Sequence, residues 1–420
     1  MYFCTRCVYP IEHPLGIDFD SVGVCTGCRI HEEKDQLDWS VHEAKLRNIL
    51  DTYRCSEEAQ YDCVVPISGG KDSFFIVDLL KNKYNLTPLL VMFNRHYNTR
   101  AGIYNAERLR TVIGCEIMTL TLDPRVYKKL IRYTLEKLGS IHWPYLAGST
   151  VFPVQVAVNY KIPLIIWGAH QGIDQVGMFS HLDEVEMTRR YRKEHDLMKT
   201  EAEDILDQSK VFEKYELSSL FYPNDEELDE VGVRGIYLNN YIRWDTKAQH
   251  EKMLSKYHYF TGFQEKTFDA YNDVDCAIYS SLHDEIKFRK HGYGKVTDHV
   301  CREIRLGRLT REQGIDLVNK YNKLSIKSTR GFADWMGLSE EKFWELIEEH
   351  TTSKIWVNSD RQHIFQKENS INIEKARLST KNKEADFNFI HNHPIDLGED
   401  PYTLQLLMRG YASYDTGHTT

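Results

Sequence analysis

From residue 60 to residue 240, short apolar runs alternate with amphipathic stretches along the chain. Apolar runs at 63–67, 89–93, 116–122 and 163–167 read as buried strands, and 235–238 as one more. Helical spacing predicts helices at 72–83, around 101–113, at 125–138 and near 150–160. Strands that are apolar throughout and separated by helices predict an α/β fold: a doubly wound, mostly parallel sheet with helices on both faces. Ahead of it, residues 31–53 pattern as one charged helix with Leu37, Val41, Leu46, Ile49 and Leu50 as its apolar side. Residues 181–230 are dense in charge and predict a helical insertion with a long phase from Glu184 to Leu206. Its cluster Asp225, Glu226, Glu227, Asp229 and Glu230 reads as a solvated face. Thr310 and Ser339 stand where helix N-caps are expected. We divide the chain at 1–55, 56–320 and 321–420: a cysteine module with linker helix, a catalytic domain, and a C-terminal helical region with a tail.

Ligands of such sheets sit at the carboxyl ends of the strands, and the first of these ends reads Ser68-Gly69-Gly70-Lys71-Asp72-Ser73. A strand feeding a helix through two glycines leaves free N–H groups aimed at one point, and the helix dipole favours an anion there. Glycines let the backbone close on a phosphate. Lys71 adds a point charge, Ser68 and Ser73 add hydroxyls, and Asp72 is a candidate holder of Mg²⁺. The spacing is not that of the G-x-x-x-x-G-K-[ST] loop. A plain strand–helix turn is the bland reading.

Two further strand ends carry polar residues. Asn94-Arg95-His96-Tyr97-Asn98 is a candidate wall of the site, and the alternative is a hydrogen-bonded turn. Gly168-Ala169-His170-Gln171-Gly172-Ile173-Asp174 offers His170 and Asp174 as acid–base candidates, although His170 equally suits a loop cap. Trp244 follows the fifth strand. A Lys- and His-rich run spans Lys287, Lys290, Tyr293, Lys295 and His299, which in an acidic chain suggests an anionic substrate or else a plain surface.

Composition narrows the setting. The formal net charge of −9 gives no general footprint for nucleic acid. No apolar run approaches the ~18 residues of a membrane span, and no signal peptide is evident, so a cytoplasmic location is expected. Cysteines there should be reduced, so paired ones point to metal before disulfides. Cys4-x2-Cys7 and Cys25-x2-Cys28 fit a structural Zn²⁺ site with no open position, a redox role being the alternative. His391-Asn392-His393-Pro394 looks like the H-x-H-P metal motif of JAMM-type peptidases but lacks its companion S-x-x-D.

The Ser68–Ser73 string resembles the SGGxDS signature of the PP-loop ATP pyrophosphatases. The ordered set resembles one branch of them, the N-acetyl sugar amidotransferases of bacterial surface-glycan pathways. That set is the two cysteine pairs, the loop, Asn94–Asn98, Ile165–Gly168, Asn240–Asp245, Asp275-Cys276, 287–299 and Arg302–Arg308. The resemblance implies ATP as substrate, bound by Ser68, Gly69, Gly70, Lys71, Asp72, Ser73, Asn94 and Gly168. It implies Lys71 and Asp72 as catalytic residues, to which the residues of the loop itself add His170 and Asp174 as candidates. Arg95, His96, Tyr97, Asn98, Trp244, Lys287, Lys290, Tyr293 and His299 would meet an N-acetylated anionic sugar, a nonulosonic acid or a diacetamido uronic acid. It also implies Mg²⁺, and a separate glutaminase with a cyclase-like partner that supplies ammonia, because none of the cysteines here sits in a nucleophile elbow. The family usually carries Glu-Asn after Trp-Gly, where this chain has Ala169-His170, so the sugar need not be a familiar one. A tRNA thiolase of the same superfamily is the main alternative, and a nucleotide-binding scaffold without activity is another.

Overall fold

The computed structural model describes residues 3–55, 60–326, 329–352, 356–359, 362–365 and 412–413. Five strands form one sheet: β1 Cys63–Ile67, β2 Pro88–Phe93, β3 Ile117–Leu120, β4 Leu164–Trp167 and β5 Arg234–Tyr237. Their order is β3-β2-β1-β4-β5 and every pairing is parallel. The chain steps outward from β1 to β3, then returns to the other side of β1. That reversal between β1 and β4 opens a crevice at their carboxyl ends, where doubly wound sheets bind ligands.

Residue alternation fixes what packs on each face. Val64, Leu89, Val91 and Ile165 face Val151, Val154 and Ala157 of the helix Trp143–Tyr160. Val65, Ile67, Leu90 and Ile166 face Phe74 and Val77 of the helix Lys71–Asp78, together with Met253 and Leu254. The predicted α/β sheet with helices on both faces is what forms. A further core joins the helix Pro124–Leu138 to Tyr279, Phe332 and Phe343. Another seats the cysteine module on Val296, Val300, Ile315 and Val318. Among the described residues, no helix is long and apolar enough to cross a membrane.

Local chemistry moves several predicted boundaries. The single helix at 31–53 is two, α1 Thr26–Gln36 and α2 Trp39–Tyr53. Asp38 breaks them apart by accepting from the Ser40 N–H at 3.0 Å, as an N-cap does. The long phase from Glu184 to Leu206 is instead a chain of short turns and the helix Ala202–Gln208. Glu184, Met198 and Lys199 there take positive φ, which no helix continues through. The acidic cluster opens the short helix Asp225–Val231, whose first turn favours negative charge, and it is exposed. The caps at Thr310 and Ser339 form, Thr310 within a full capping box. His391 and His393 lie outside the described residues.

Candidate functional site

The turn after β1 closes on itself. Ser68 N–H donates to Ser73 Oγ at 3.1 Å, and Gly70 N–H donates to Ser68 Oγ at 3.3 Å. Gly69 has φ 80°, and a Cβ there would lie 3.1 Å from the Ala106 backbone nitrogen, so conformation and space both require glycine. Gly70 then stands as N-cap of Lys71–Asp78, leaving that helix N-terminus open to an anion. Lys71 is buried and its Nζ meets Asp72 Oδ2 at 2.6 Å.

Cavities flank this turn on either side. The first, of about 270 Å³, lies between Ser68, the end of β2, β3 and the helix Arg100–Arg108. Phe93, Ile103 and Ile117 give it an apolar floor, and Asn94, Arg95 and Asn98 a polar rim. Asn94 is held in place: its Oδ1 accepts from His96 N–H at 3.0 Å and Asn98 Nδ2 at 2.8 Å. Arg95 lies over the Tyr145 ring at 3.5 Å and pairs with Asp275 at 3.3 Å. His96 instead turns into the protein against Tyr127. Nothing is described of the Tyr97 side chain.

The second cavity, of about 390 Å³, brings together Lys71, Asp72, Gln171, Asp174, Trp244, Asp273, Lys295, His299 and Arg302. Most of its charges are already matched. Burial opposes ionisation of Asp273, but Lys295 and Arg95 hold its carboxyl well below the usual range. Burial likewise opposes Asp269, behind the wall, where His299, Arg302 and Lys71 win. Arg302 reaches Asp269 at 2.9 Å. Burial pushes the His299 imidazole down to about 4, so it is neutral near pH 7, and its Nδ1 lies 2.7 Å from Thr267 Oγ1. Asp174 is paired with Lys34 of α1; burial opposes its charge, and Lys34 keeps it below the ordinary carboxylate range.

The remaining predicted residues stand elsewhere. Lys287 is tied to Asp298 and covers Tyr293, its Nζ 4.4 Å from the ring centre. Tyr293 is buried against His13 at 5.1 Å. Lys290 donates to the Leu138 carbonyl at 2.8 Å. Gly168 packs beside Ile76 and Trp244. His170 points into a third cavity, away from Lys71. Asp273, Arg302, Arg305 and Lys34 join the site without being expected there: Asp273 lies two residues before Asp275 and both arginines lie in the Arg302–Arg308 segment, whereas Lys34 sits in an ordinary charged helix with no local signal.

The cysteine module is a closed four-thiol cluster. Cys4, Cys7, Cys25 and Cys28 are buried, with ligand atoms all within 4.8 Å of one another. Cys7 Sγ and Cys25 Sγ are 3.6 Å apart, close to the ~3.8 Å edge of a tetrahedron with metal–sulfur bonds of ~2.3 Å. N–H groups of Arg6, Cys7 and Cys25 donate to Cys4 Sγ at 3.4, 3.4 and 3.3 Å, as anionic sulfur requires. The module touches the second cavity directly. Tyr9 donates to Asp298 Oδ1 at 2.8 Å, and Arg305 donates to the Gln175 carbonyl at 2.6 Å while lying 3.7 Å from Cys25 Sγ.

Residues 255–369 match the family described as LPS biosynthesis protein WbpG-like, C-terminal domain. The uncharacterized protein MJ1599 of Methanocaldococcus jannaschii is 28% identical over 120 residues, covering 29% of this chain and 43% of that protein. The chain thus spans less than half the length of that relative. Among solved structures, NMN synthetase from Francisella tularensis is 18% identical, covering 53% of this chain and 93% of its own, with a TM-score of 0.27. The U34-tRNA thiolase NcsA from Methanococcus maripaludis, solved with its 4Fe-4S cluster, is 14% identical over 78% of this chain and 90% of its own, with a TM-score of 0.28. These last two likenesses are too low to say anything of the reaction. The 255–369 segment is thus similar to the C-terminal domain of the WbpG-like proteins of LPS biosynthesis.

Proposed function

We propose that the protein is an ATP-dependent amidotransferase that converts the acetamido group of an anionic N-acetylated sugar into an acetamidino group. The carrying observation is the position of Lys71 and Asp72. They stand at an open helix N-terminus with a nucleoside-sized cavity on one side and a charged, polar cavity on the other. Adenosine would occupy the first, over Phe93 and Ile117, with Asn94 at its edge. The triphosphate would cross Ser68–Ser73, and the sugar would lie in the second, near Lys295, Arg302 and Trp244.

An amide oxygen is a poor leaving group and must be activated first. The amide oxygen attacks the α-phosphorus, an O–P bond forms, and the bond to the β-phosphate oxygen breaks, releasing pyrophosphate. Free N–H groups at the start of the helix and the Lys71 ammonium stabilise the charge that develops there. Mg²⁺ carried in with ATP would be held by Asp72 and would neutralise phosphate charge. Ammonia then gives its electron pair to the activated carbon, the carbon–oxygen bond breaks, AMP leaves, and a proton is lost to give the amidine. Zn²⁺ suits the all-thiolate cluster, in a structural role. A separate glutaminase system would supply the ammonia in the cytoplasm.

Incubation with ATP, Mg²⁺, ammonium and an acetamido nonulosonic acid tests this. The expected products are AMP, pyrophosphate and a sugar lightened by the exchange of oxygen for an imino group. Formation of ADP, or AMP release that depends on tRNA alone, would sink the reading.

A further inference from the structure

The third cavity, of about 180 Å³, lies across the Gly168–Asp174 loop from the second. Ala169 and Gln171 line both, so the loop is a partition one residue thick in places. Into the third cavity points His170, 2% exposed, with no hydrogen-bond partner on either ring nitrogen among the described residues. The indole N–H of Trp167, in the same wall, also lacks one. Each buried polar atom left unpaired costs about 1–3 kcal/mol, so three around one cavity mark a place for a polar guest.

The chain holds His170 there deliberately. Its backbone N–H donates to Asn239 Oδ1 at 3.0 Å. Its ring is clasped by Tyr191 and Tyr237, with centroids 4.4 and 4.6 Å away. Gly172 leaves the necessary room, since a Cβ there would lie 2.8 Å from His170 Cε1. Volume and charge then limit the guest. A cavity of ~150 Å³ accepts something the size of benzene, so neither a nucleotide nor a nine-carbon sugar fits this one. Arg192, the cation in the wall, is used by Glu201 at 2.8 Å, leaving little attraction for an anion. Burial holds the His170 imidazole neutral, near 4, and pushes the Tyr191 phenol beyond its usual range, so both stay uncharged donors and acceptors near pH 7. Asp196, also in the wall, is raised to about 6 by burial and adds negative charge that repels anions, so the lining suits a small uncharged or weakly basic molecule that both donates and accepts.

We propose that this aromatic chamber binds the ammonia used to form the amidine and passes it over Ala169 and Gln171 to the activated carbon. The inference rests on the amidotransferase reading, which requires a nitrogen nucleophile that can reach the polar cavity without crossing the nucleotide or the sugar.

The test uses the full chain as wild type, His170→Phe and His170→Gln. AMP formation is titrated with ammonium chloride at fixed pH, and sugar-dependent ATP–pyrophosphate exchange is measured without ammonia. His170→Phe should raise the KM for ammonium about tenfold, the scale of one lost hydrogen bond, with little change in the exchange rate or the sugar KM. His170→Gln, which restores a donor and an acceptor, should recover most of it. An unchanged ammonium KM overturns the chamber's role, as does a rise confined to the sugar KM. Were His170→Phe to melt early, Trp167→Phe removes only an N–H donor from the same wall and is judged by the same ammonium KM. Wild-type protein with no sugar-dependent exchange overturns the amidotransferase reading, and the chamber with it.

Discussion

The two loops that flank the switch point are held in opposite ways. The turn after β1 is fixed from within: Ser68, Gly70 and Ser73 bond to one another, and Lys71 pairs with its neighbour. The loop after β4 is fixed from outside. Lys34 reaches Asp174, Arg305 reaches the Gln175 carbonyl, Asn239 holds His170, and Thr26 donates to the Val176 carbonyl at 3.1 Å. Gly177 presses so close to the Thr26–Gly27 backbone that a Cβ on it would sit 2.6 Å away. One loop is a local motif; the other is a composite whose shape depends on the cysteine module. Changes in the first should therefore strike chemistry and spare the fold, and changes to the second should reach activity through stability.

The largest effect is expected from Asp72→Ala. Its side chain is 42% exposed and its hydrogen bond is to the adjacent residue, so the melting temperature should hardly move. AMP formation should fall by at least ~10²-fold, the scale of losing one preorganised charge-stabilising group. Unchanged turnover would show that the carboxylate has no part in the site.

Cys4→Ser attacks the other loop at its root. Structural zinc contributes ~10–16 kcal/mol in small zinc-finger peptides, as much as the whole stability of many domains. Bound metal measured by elemental analysis and the melting temperature should drop together, and activity should follow. A variant with normal melting and no activity would contradict the structural role.

Lys34→Met isolates one strut of the composite loop. Lys34 and Asp174 side chains are 3% and 16% exposed, and breaking a buried pair by removing one partner costs about 3–5 kcal/mol. The pH dependence has a definite sign. Asp174 has a depressed pKa in the folded protein, so the pair's stabilisation is present above the ordinary carboxylate pKa and is lost as pH falls through the folded value. The gap in stability between wild type and variant, measured by urea unfolding, should thus be widest near neutral pH and narrow in acid. A gap that widens on acidification would place the charge of Asp174 elsewhere.

The same contrast explains what could be read along the chain. Ser68–Ser73 was legible because its donors, acceptors and required glycines lie within six consecutive residues, and the sheet because each strand is apolar throughout. Cys4, Cys7, Cys25 and Cys28 were legible because metal chemistry fixes their spacing. Lys34 and Arg305 were not, since their roles exist only after α1 and the helix Lys295–Arg305 meet the β4 loop. The helix predicted from Glu184 to Leu206 failed for a local reason, the positive-φ turns at Met198 and Lys199. Lys287 and Lys290 look alike as charges in a basic run, but packing ties Lys287 to Asp298 in the cavity wall and turns Lys290 to the Leu138 carbonyl.

The smallest effect should come from Thr310→Ala, which links the local and remote cases. Thr310 Oγ accepts from the Gln313 N–H at 3.2 Å, and Gln313 Oε1 accepts from the Thr310 N–H at 2.9 Å, closing the capping box of Arg311–Asn322. The next residue, Arg311, donates to the Cys4 and Cys7 carbonyls at 3.1 and 3.0 Å. Loss of the cap should cost ~1 kcal/mol, seen as a shift in the urea midpoint without a change in its slope. Because Arg311 itself is intact and its helix is anchored by buried Ile315 and Val318, metal content and the ammonium KM should remain those of wild type. A loss of metal from this variant would mean that the cap, rather than the packed helix, holds Arg311 on the cysteine module, and the composite loop would then hang on a single hydroxyl.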